Sequence, residues 1–213
     1  MITVYWSLQM SFLQHPKIIL LFAFAYLLGA IPFGIVIVRL FSGEDIRKYG
    51  SGNIGATNAK RTGGWAAGLA TLAADMAKGA IPVWIAASLF GRTGTGEIIC
   101  ALTALAAFFG HLFPVYLGFK TGGKGVATAA GAFAVISPAA LLAAVSGFIL
   151  LVAAFRRVSA GSIGGAAILP ASVFFFTSSP VFFSCALVIS ILILWRHREN
   201  IRRLIDGNEP RLW

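Results

Sequence analysis

Long apolar stretches recur at about 18–41, 65–90, 98–117, 126–136, 139–155, 164–177 and 181–195, and they fill most of the 213 residues. A helix crossing a bilayer needs roughly 20 such residues. Only 11% of the chain is charged and 58% is hydrophobic. A soluble domain carries roughly 25% charged residues, so this chain cannot clothe a soluble surface of its size. Disorder requires low hydrophobicity and is excluded as well. The sequence therefore predicts an all-α polytopic membrane protein, a single integral domain over 1–213 with no room for a separate soluble domain.

The basic residues set a direction. With seven spans and the N-terminus outside, the inner connections are 42–64, 118–125, 156–163 and a cytoplasmic tail, 196–213. Arg39, Arg47, Lys48, Lys60, Arg61, Lys120, Lys124, Arg156, Arg157, Arg196, Arg198, Arg202, Arg203 and Arg211 then face inward, against only Lys17 and Arg92 outside. This is the positive-inside asymmetry. It explains the +10 net charge without nucleic acid. The runs 126–136 and 164–177 are short. Fusing each with its neighbour would leave five spans but put Arg156 and Arg157 outside, so seven is preferred. Residues 1–16 read as an N-terminal extension without a basic leader region, and Met10 is an alternative start.

Asp75 and Lys78, the seventeenth basic residue, share a helix face inside the second run. Charges there are expensive unless paired or hydrated. They read either as an ion pair holding the bundle or as support for a polar site. Cys100 and Cys185 lie in apolar runs with neither disulfide nor metal-ligand spacing, and no metal cluster is present in the sequence.

Each inner connection carries a motif. The first is GSGNIGATN over 50–58, followed by Arg61 and Gly63-Gly64. Ser51, Asn53, Thr57 and Asn58 offer short polar groups, and glycines let a ligand approach the main chain. Arg61 offers a bidentate fork for phosphate. The second runs from Gly110-His111 to Lys120-Thr121-Gly122-Gly123-Lys124-Gly125. Free amides, a helix N-terminus and Lys124 suit an anion there. Gly125 stands where a nucleotide-binding P-loop needs Ser or Thr, so an NTPase is rejected. His111 reads as a structural hydrogen-bonder rather than a base. The third is RRVSAGSI over 156–163, with Ser162. The fourth is RHRENIRRLIDGNE over 196–209, where a helix puts His197, Asn200 and Arg203 on one face. Together these predict a phosphate-bearing ligand, group transfer and a lipid co-substrate.

In combination these motifs resemble the bacterial acyl-phosphate:glycerol-3-phosphate acyltransferases, over most of residues 50–209. The resemblance implies a seven-helix bundle in the bacterial cytoplasmic membrane with a cytoplasm-facing site. It implies a fatty acyl phosphate donor, sn-glycerol 3-phosphate as acceptor, lysophosphatidic acid and phosphate as products, and no cofactor or metal. An acyl-phosphate synthase is the implied functional partner. The matching site residues are Ser51, Arg61, Lys124, Ser162, His197 and Asn200, with Asn53, Thr57 and Asn58 in the same polar loop. Gly122, Gly123 and Arg203 join them, and Glu209 supports by motif membership. Two departures stand out: Thr121 looks like an insertion, and Arg157 occupies a place where the family commonly has an aromatic.

An acyl phosphate is already activated, so the protein needs only to position, clamp and stabilise. Ser51, Arg61, Lys124 and Asn200 are expected to clamp phosphate groups. The amides of Gly52, Gly55, Gly122 and Gly123 are expected to stabilise developing charge. The proton acceptor is either His197 or a substrate phosphate. A transporter of small organic phosphates is the rival reading. A metal-dependent alcohol transferase would need a carboxylate cluster that seven scattered acidic residues do not supply. The H-x-x-x-x-D pattern of other glycerolipid acyltransferases is absent.

Overall fold

A computed structural model describes residues 16–120 and 122–212. The N-terminal extension (apart from Pro16), the alternative start and Thr121 lie outside the described residues. Among the described residues there is no strand. The helices are α1 Pro16–Ala30, α2 Phe33–Ser42, α3 Ala56–Phe90, α4 Thr95–Leu112, α5 Val126–Ile136, α6 Pro138–Phe155, α7 Val158–Thr177, α8 Pro180–Arg196 and α9 Arg198–Ile205.

Every apolar run of the sequence is helical, but the lengths differ. Five segments are long and apolar enough to cross a membrane: Pro16–Ser42, Ala56–Phe90, Thr95–Leu117, Pro138–Phe155 and Val158–Thr177. A sixth follows if α8 and α9, bent by 57°, are taken together. α7 reaches spanning length because it begins at Val158, inside the third motif. α5 has 11 residues. At 1.5 Å per residue it covers only about 16 Å of a roughly 30 Å core.

Breaks in the helices shape the bundle. Pro32 interrupts α1 and α2, because it has no N–H to continue the ladder. α3 kinks at Gly64, whose φ of 82° and ψ of −178° belong to a region essentially reserved for glycine. The kink separates an N-terminal arm, 56–63, from the long apolar part of α3. Lys60 stacks on Trp65 across it, 3.4 Å from the ring centroid.

α4 sits at the centre, packed against α1, α3 and α8. Small residues let backbones approach closely: Gly79 of α3 lies against the Thr128 carbonyl of α5, and Gly131 of α5 lies against the Met76 carbonyl of α3. α6 turns Leu142, Ile149 and Leu150 outward, as expected of a face covered by lipid. Cys100 and Cys185 are free and buried.

Candidate active site

The second, third and fourth motifs converge. Lys124 ends the loop before α5. Its Nζ donates to Asn200 Oδ1 at 2.6 Å. Asn200 Nδ2 donates to Glu209 Oε1 at 2.7 Å, and Arg203 Nε donates to Glu209 Oε2 at 2.7 Å. Arg157 Nε donates to the Glu209 carbonyl at 3.0 Å, and its Nη2 donates to the Gly207 carbonyl at 3.2 Å. The Leu212 amide donates to the Arg156 carbonyl at 2.7 Å. The residue that departs from the family pattern thus seats the tail against the α6–α7 turn.

The Gly122–Gly123 loop is pinned from two sides. The Arg196 guanidinium donates to the Gly123 carbonyl at 3.0 Å and to the Gly122 carbonyl. On the other side, the Gly123 amide donates to the His111 carbonyl at 3.1 Å. Gly125 caps α5 with φ 83°, and a side chain there would strike the Phe108 ring.

His197 lies at the α8–α9 junction and is buried. Its Nδ1 is 2.8 Å from the Ile193 carbonyl. A carbonyl can only accept, so Nδ1 carries the hydrogen and Nε2 keeps the lone pair. Burial, reinforced by the Lys124 charge, takes the imidazole down to about 4. Burial also pushes the Lys124 ammonium down to about 8, against the opposing pull of Glu209. Burial alone would raise the Glu209 carboxyl, but Ser159, Asn200 and Arg203 outweigh it and hold the group below its ordinary value.

Beneath this cluster lies an apolar crevice between α5, α6, α7 and α8. Val126, Ala129, Leu141, Phe148, Ser162 and Ile193 are among its lining. Ser162 is its polar side chain, Val126 follows closely after Lys124, and Ile193 is the residue whose carbonyl holds His197.

The first motif is organised differently. It lies toward the same end, because Ile46, Ile54 and Ala59 share a core with Leu117 just before the second loop. Ser51 and Arg61 are exposed, and Asn53 and Thr57 are half-buried. Asn58 is buried, and all its polar capacity is spent locally. Its Nδ2 donates to the carbonyls of Ile46, Tyr49 and Asn53 at 3.0–3.1 Å, and its Oδ1 accepts from the Ser51 amide at 3.1 Å. Among the described residues, no hydrogen bond or ion pair joins Ser51, Thr57 or Arg61 to the Lys124 cluster.

The expected amide donors need correction. The Gly52 amide bonds to the Tyr49 carbonyl, the Gly55 amide to Asn53 Oδ1 and the Gly123 amide to the His111 carbonyl. Each is committed within the fold. Of the four, only the Gly122 amide has no acceptor among the described residues. Sequence reasoning did not single out Arg196 as a loop clamp. It placed Arg196 among the inner charges and at the head of the fourth motif, and nothing in the spacing marks its reach to residue 122. No group of three or more His, Cys, Asp or Glu able to hold a metal gathers among the described residues.

The family model for glycerol-3-phosphate acyltransferase matches residues 19–207. The chain belongs to that family. A glycerol-3-phosphate acyltransferase of Syntrophotalea carbinolica is 50% identical over 187 residues, covering 88% of this chain and 93% of that protein. One from Anaeromyxobacter dehalogenans (strain 2CP-1) is 48% identical, covering 91% and 96%. The crystal structure of PlsY (YgiH), an integral membrane glycerol 3-phosphate acyltransferase, in its glycerol 3-phosphate form is 40% identical with a TM-score of 0.86. It covers 92% of this chain and 95% of that one. The lysophosphatidic acid form gives a TM-score of 0.84. The family thus carries a multi-pass membrane acyltransferase acting on glycerol 3-phosphate in membrane lipid synthesis. The transport reading of the basic loops gives way to it.

Proposed function

We propose that this acyltransferase takes its acyl group from a fatty acyl phosphate and delivers it to sn-glycerol 3-phosphate, giving lysophosphatidic acid and phosphate. The observation that supports this reading is the placement of the Lys124–Asn200 pair and a neutral His197 around an apolar crevice. A cationic, hydrogen-bonding head above an apolar slot suits an anionic head on a fatty chain. Lys124, Arg61, Ser51 and Asn200 clamp phosphate oxygens, and Ser162 lies where head and chain meet. Asn53, Thr57, Gly122, Gly123 and Arg203 shape the acceptor site, and Asn58 shapes it through its loop.

The acceptor hydroxyl oxygen attacks the acyl carbon, the carbon–oxygen bond to phosphate breaks and the ester forms. The hydroxyl proton ends on the departing phosphate. His197 Nε2 accepts the hydrogen bond that orients the hydroxyl. With a pKa near 4 it is a poor lasting proton acceptor, whereas a phosphate monoester takes its second proton near pH 6. No covalent enzyme intermediate is needed, because the mixed anhydride is already activated.

The whole chain, 1–213, acts as one domain in the bacterial inner membrane. It has seven passes with the N-terminus outside, α5 being the short one where the bilayer thins. The tail 196–213 and the site face the cytoplasm, and an acyl-phosphate synthase supplies the donor. The deciding assay supplies purified protein with palmitoyl phosphate, glycerol 3-phosphate and EDTA. Equimolar phosphate and lysophosphatidic acid, with palmitoyl-CoA inert, is the expected result. Product from palmitoyl-CoA and none from palmitoyl phosphate would overturn the donor. For sidedness, an Asp206→Cys variant should resist a membrane-impermeant maleimide in intact cells and react after lysis.

A further inference from the structure

The Asp75–Lys78 pair remains unassigned by this chemistry. Both side chains are essentially inaccessible, at 2% and 1% exposure. Lys78 Nζ lies 2.8 Å from Asp75 Oδ1 and donates at 2.9 Å to the Ile31 carbonyl, at the break between α1 and α2. Asp75 Oδ1 lies 3.8 Å from His111 Nδ1, which has no hydrogen-bond partner among the described residues. The buried ring of His111 lies against Gly123 so closely that a side chain at 123 would collide with it. The His111 carbonyl takes the Gly123 amide.

The node therefore touches both loop-bearing parts of the molecule. Through Ile31 it fixes the start of α2, whose Gly34 lies against the Ile54 carbonyl of the first motif. Through His111 it backs the loop that presents Lys124. We infer that Asp75, Lys78 and His111 are positioning residues that hold the first-motif loop and the Lys124 loop in mutual register for catalysis. Simple bundle cohesion would not require this arrangement. A buried ion pair is often replaceable by apolar residues with neutral or even improved stability. Register between two halves of a site is more demanding, because about 1 Å of misplacement can cost roughly 10²-fold in rate.

The inference rests on the reading of the Lys124 loop as an anion site. The test is the double variant Asp75→Leu/Lys78→Leu beside the parental protein. It reads melting temperature, equilibrium binding of glycerol 3-phosphate, and kcat and KM with palmitoyl phosphate. The expected result is a melting temperature at or above the parental value with kcat/KM lower by about 10²-fold. Parental turnover in a folded double variant would overturn the inference. His111→Leu is the second variant, expected to fold and to lower kcat by about tenfold or more with a smaller change in KM for glycerol 3-phosphate. Unchanged kcat there would overturn the role of His111. Failure of both variants to fold would make the node a folding element and overturn the positioning role. If the parental protein itself does not use palmitoyl phosphate, the donor reading fails alone. Glycerol 3-phosphate binding by the parental and variant proteins then still decides the register question.

Discussion

In the first motif the side-chain amide of Asn58 turns inward and binds four backbone groups, while Ser51 and Arg61 stand in solvent. In the Lys124 cluster the functional groups themselves are wired together: lysine to asparagine, asparagine to glutamate, glutamate to arginine. Both regions are glycine-rich and basic and lie toward one end of the bundle. One has a rigid frame carrying the exposed Arg61; the other has its cation already oriented and partly desolvated. Preorganised groups cost no reorganisation when charge develops, whereas free ones must be gathered by the ligand. Under the proposed function, this difference gives turnover to the Lys124 cluster and chiefly capture to the first motif.

The comparison can be broken most sharply at Lys124. Lys124→Ala should lower kcat/KM by about 10²–10³-fold, as loss of a preorganised donor does, with the larger share in kcat. Arg61→Ala should act mainly through KM for glycerol 3-phosphate. Equal kcat losses in the two variants, measured by steady-state kinetics, would erase the distinction.

Titration comes next. Lys124 is charged below about pH 8 and neutral above it, and His197 stays neutral throughout. With palmitoyl phosphate as donor, kcat/KM should be steady between pH 7 and 7.5. It should then fall by roughly tenfold per unit above the lysine pKa. A pH–rate profile checks this, and a Lys124→Arg variant should flatten the curve even if it turns over poorly.

Asn58→Ala strands the Ser51 amide and three carbonyls in partly buried surroundings. At about 1–3 kcal/mol for unsatisfied groups, the loop should loosen and KM should rise severalfold, with kcat nearly kept. Glu209→Gln turns one acceptor oxygen into a donor, so it breaks one of the Asn200 and Arg203 bonds and takes the charge from the other. A charge-assisted bond is worth about 1.5–3 kcal/mol, and the partial exposure of Arg203 puts the loss at the lower end. It should appear as a lower melting temperature and a modest fall in kcat. A melting temperature unchanged in both variants would show that neither frame matters.

Much of the helical layout was legible in the sequence, because apolar runs and their basic connections follow directly from bilayer physics. The start of α7 within the RRVSAGSI motif was foreseeable in kind, since a 14-residue run is too short to span. The shortness of α5 was visible too, but not how its glycine packs against α3. The site was legible as a set of residues and not as an arrangement. Spacing within the fourth motif put Asn200 and Arg203 on one face, but no local pattern shows that both meet Glu209 or that Lys124 reaches Asn200. Glycine-rich loops suggested free amides; local turns take two of the four, at Gly52 and Gly55, and the distant His111 carbonyl takes the Gly123 amide. The Arg196 clamp was hidden for the same reason, since contacts between distant segments leave no periodicity.

The dependence of Lys124 on Asn200 and Glu209 also orders events during biosynthesis. A nascent chain can insert most of its membrane helices while the Lys124 loop still lacks its carboxylate and its amide. Under the proposed function, the Lys124 site is complete only once the segment through Glu209 has left the ribosome and Arg157 has captured its backbone. A partly translated copy in the membrane would then capture glycerol 3-phosphate at the first motif without turning it over.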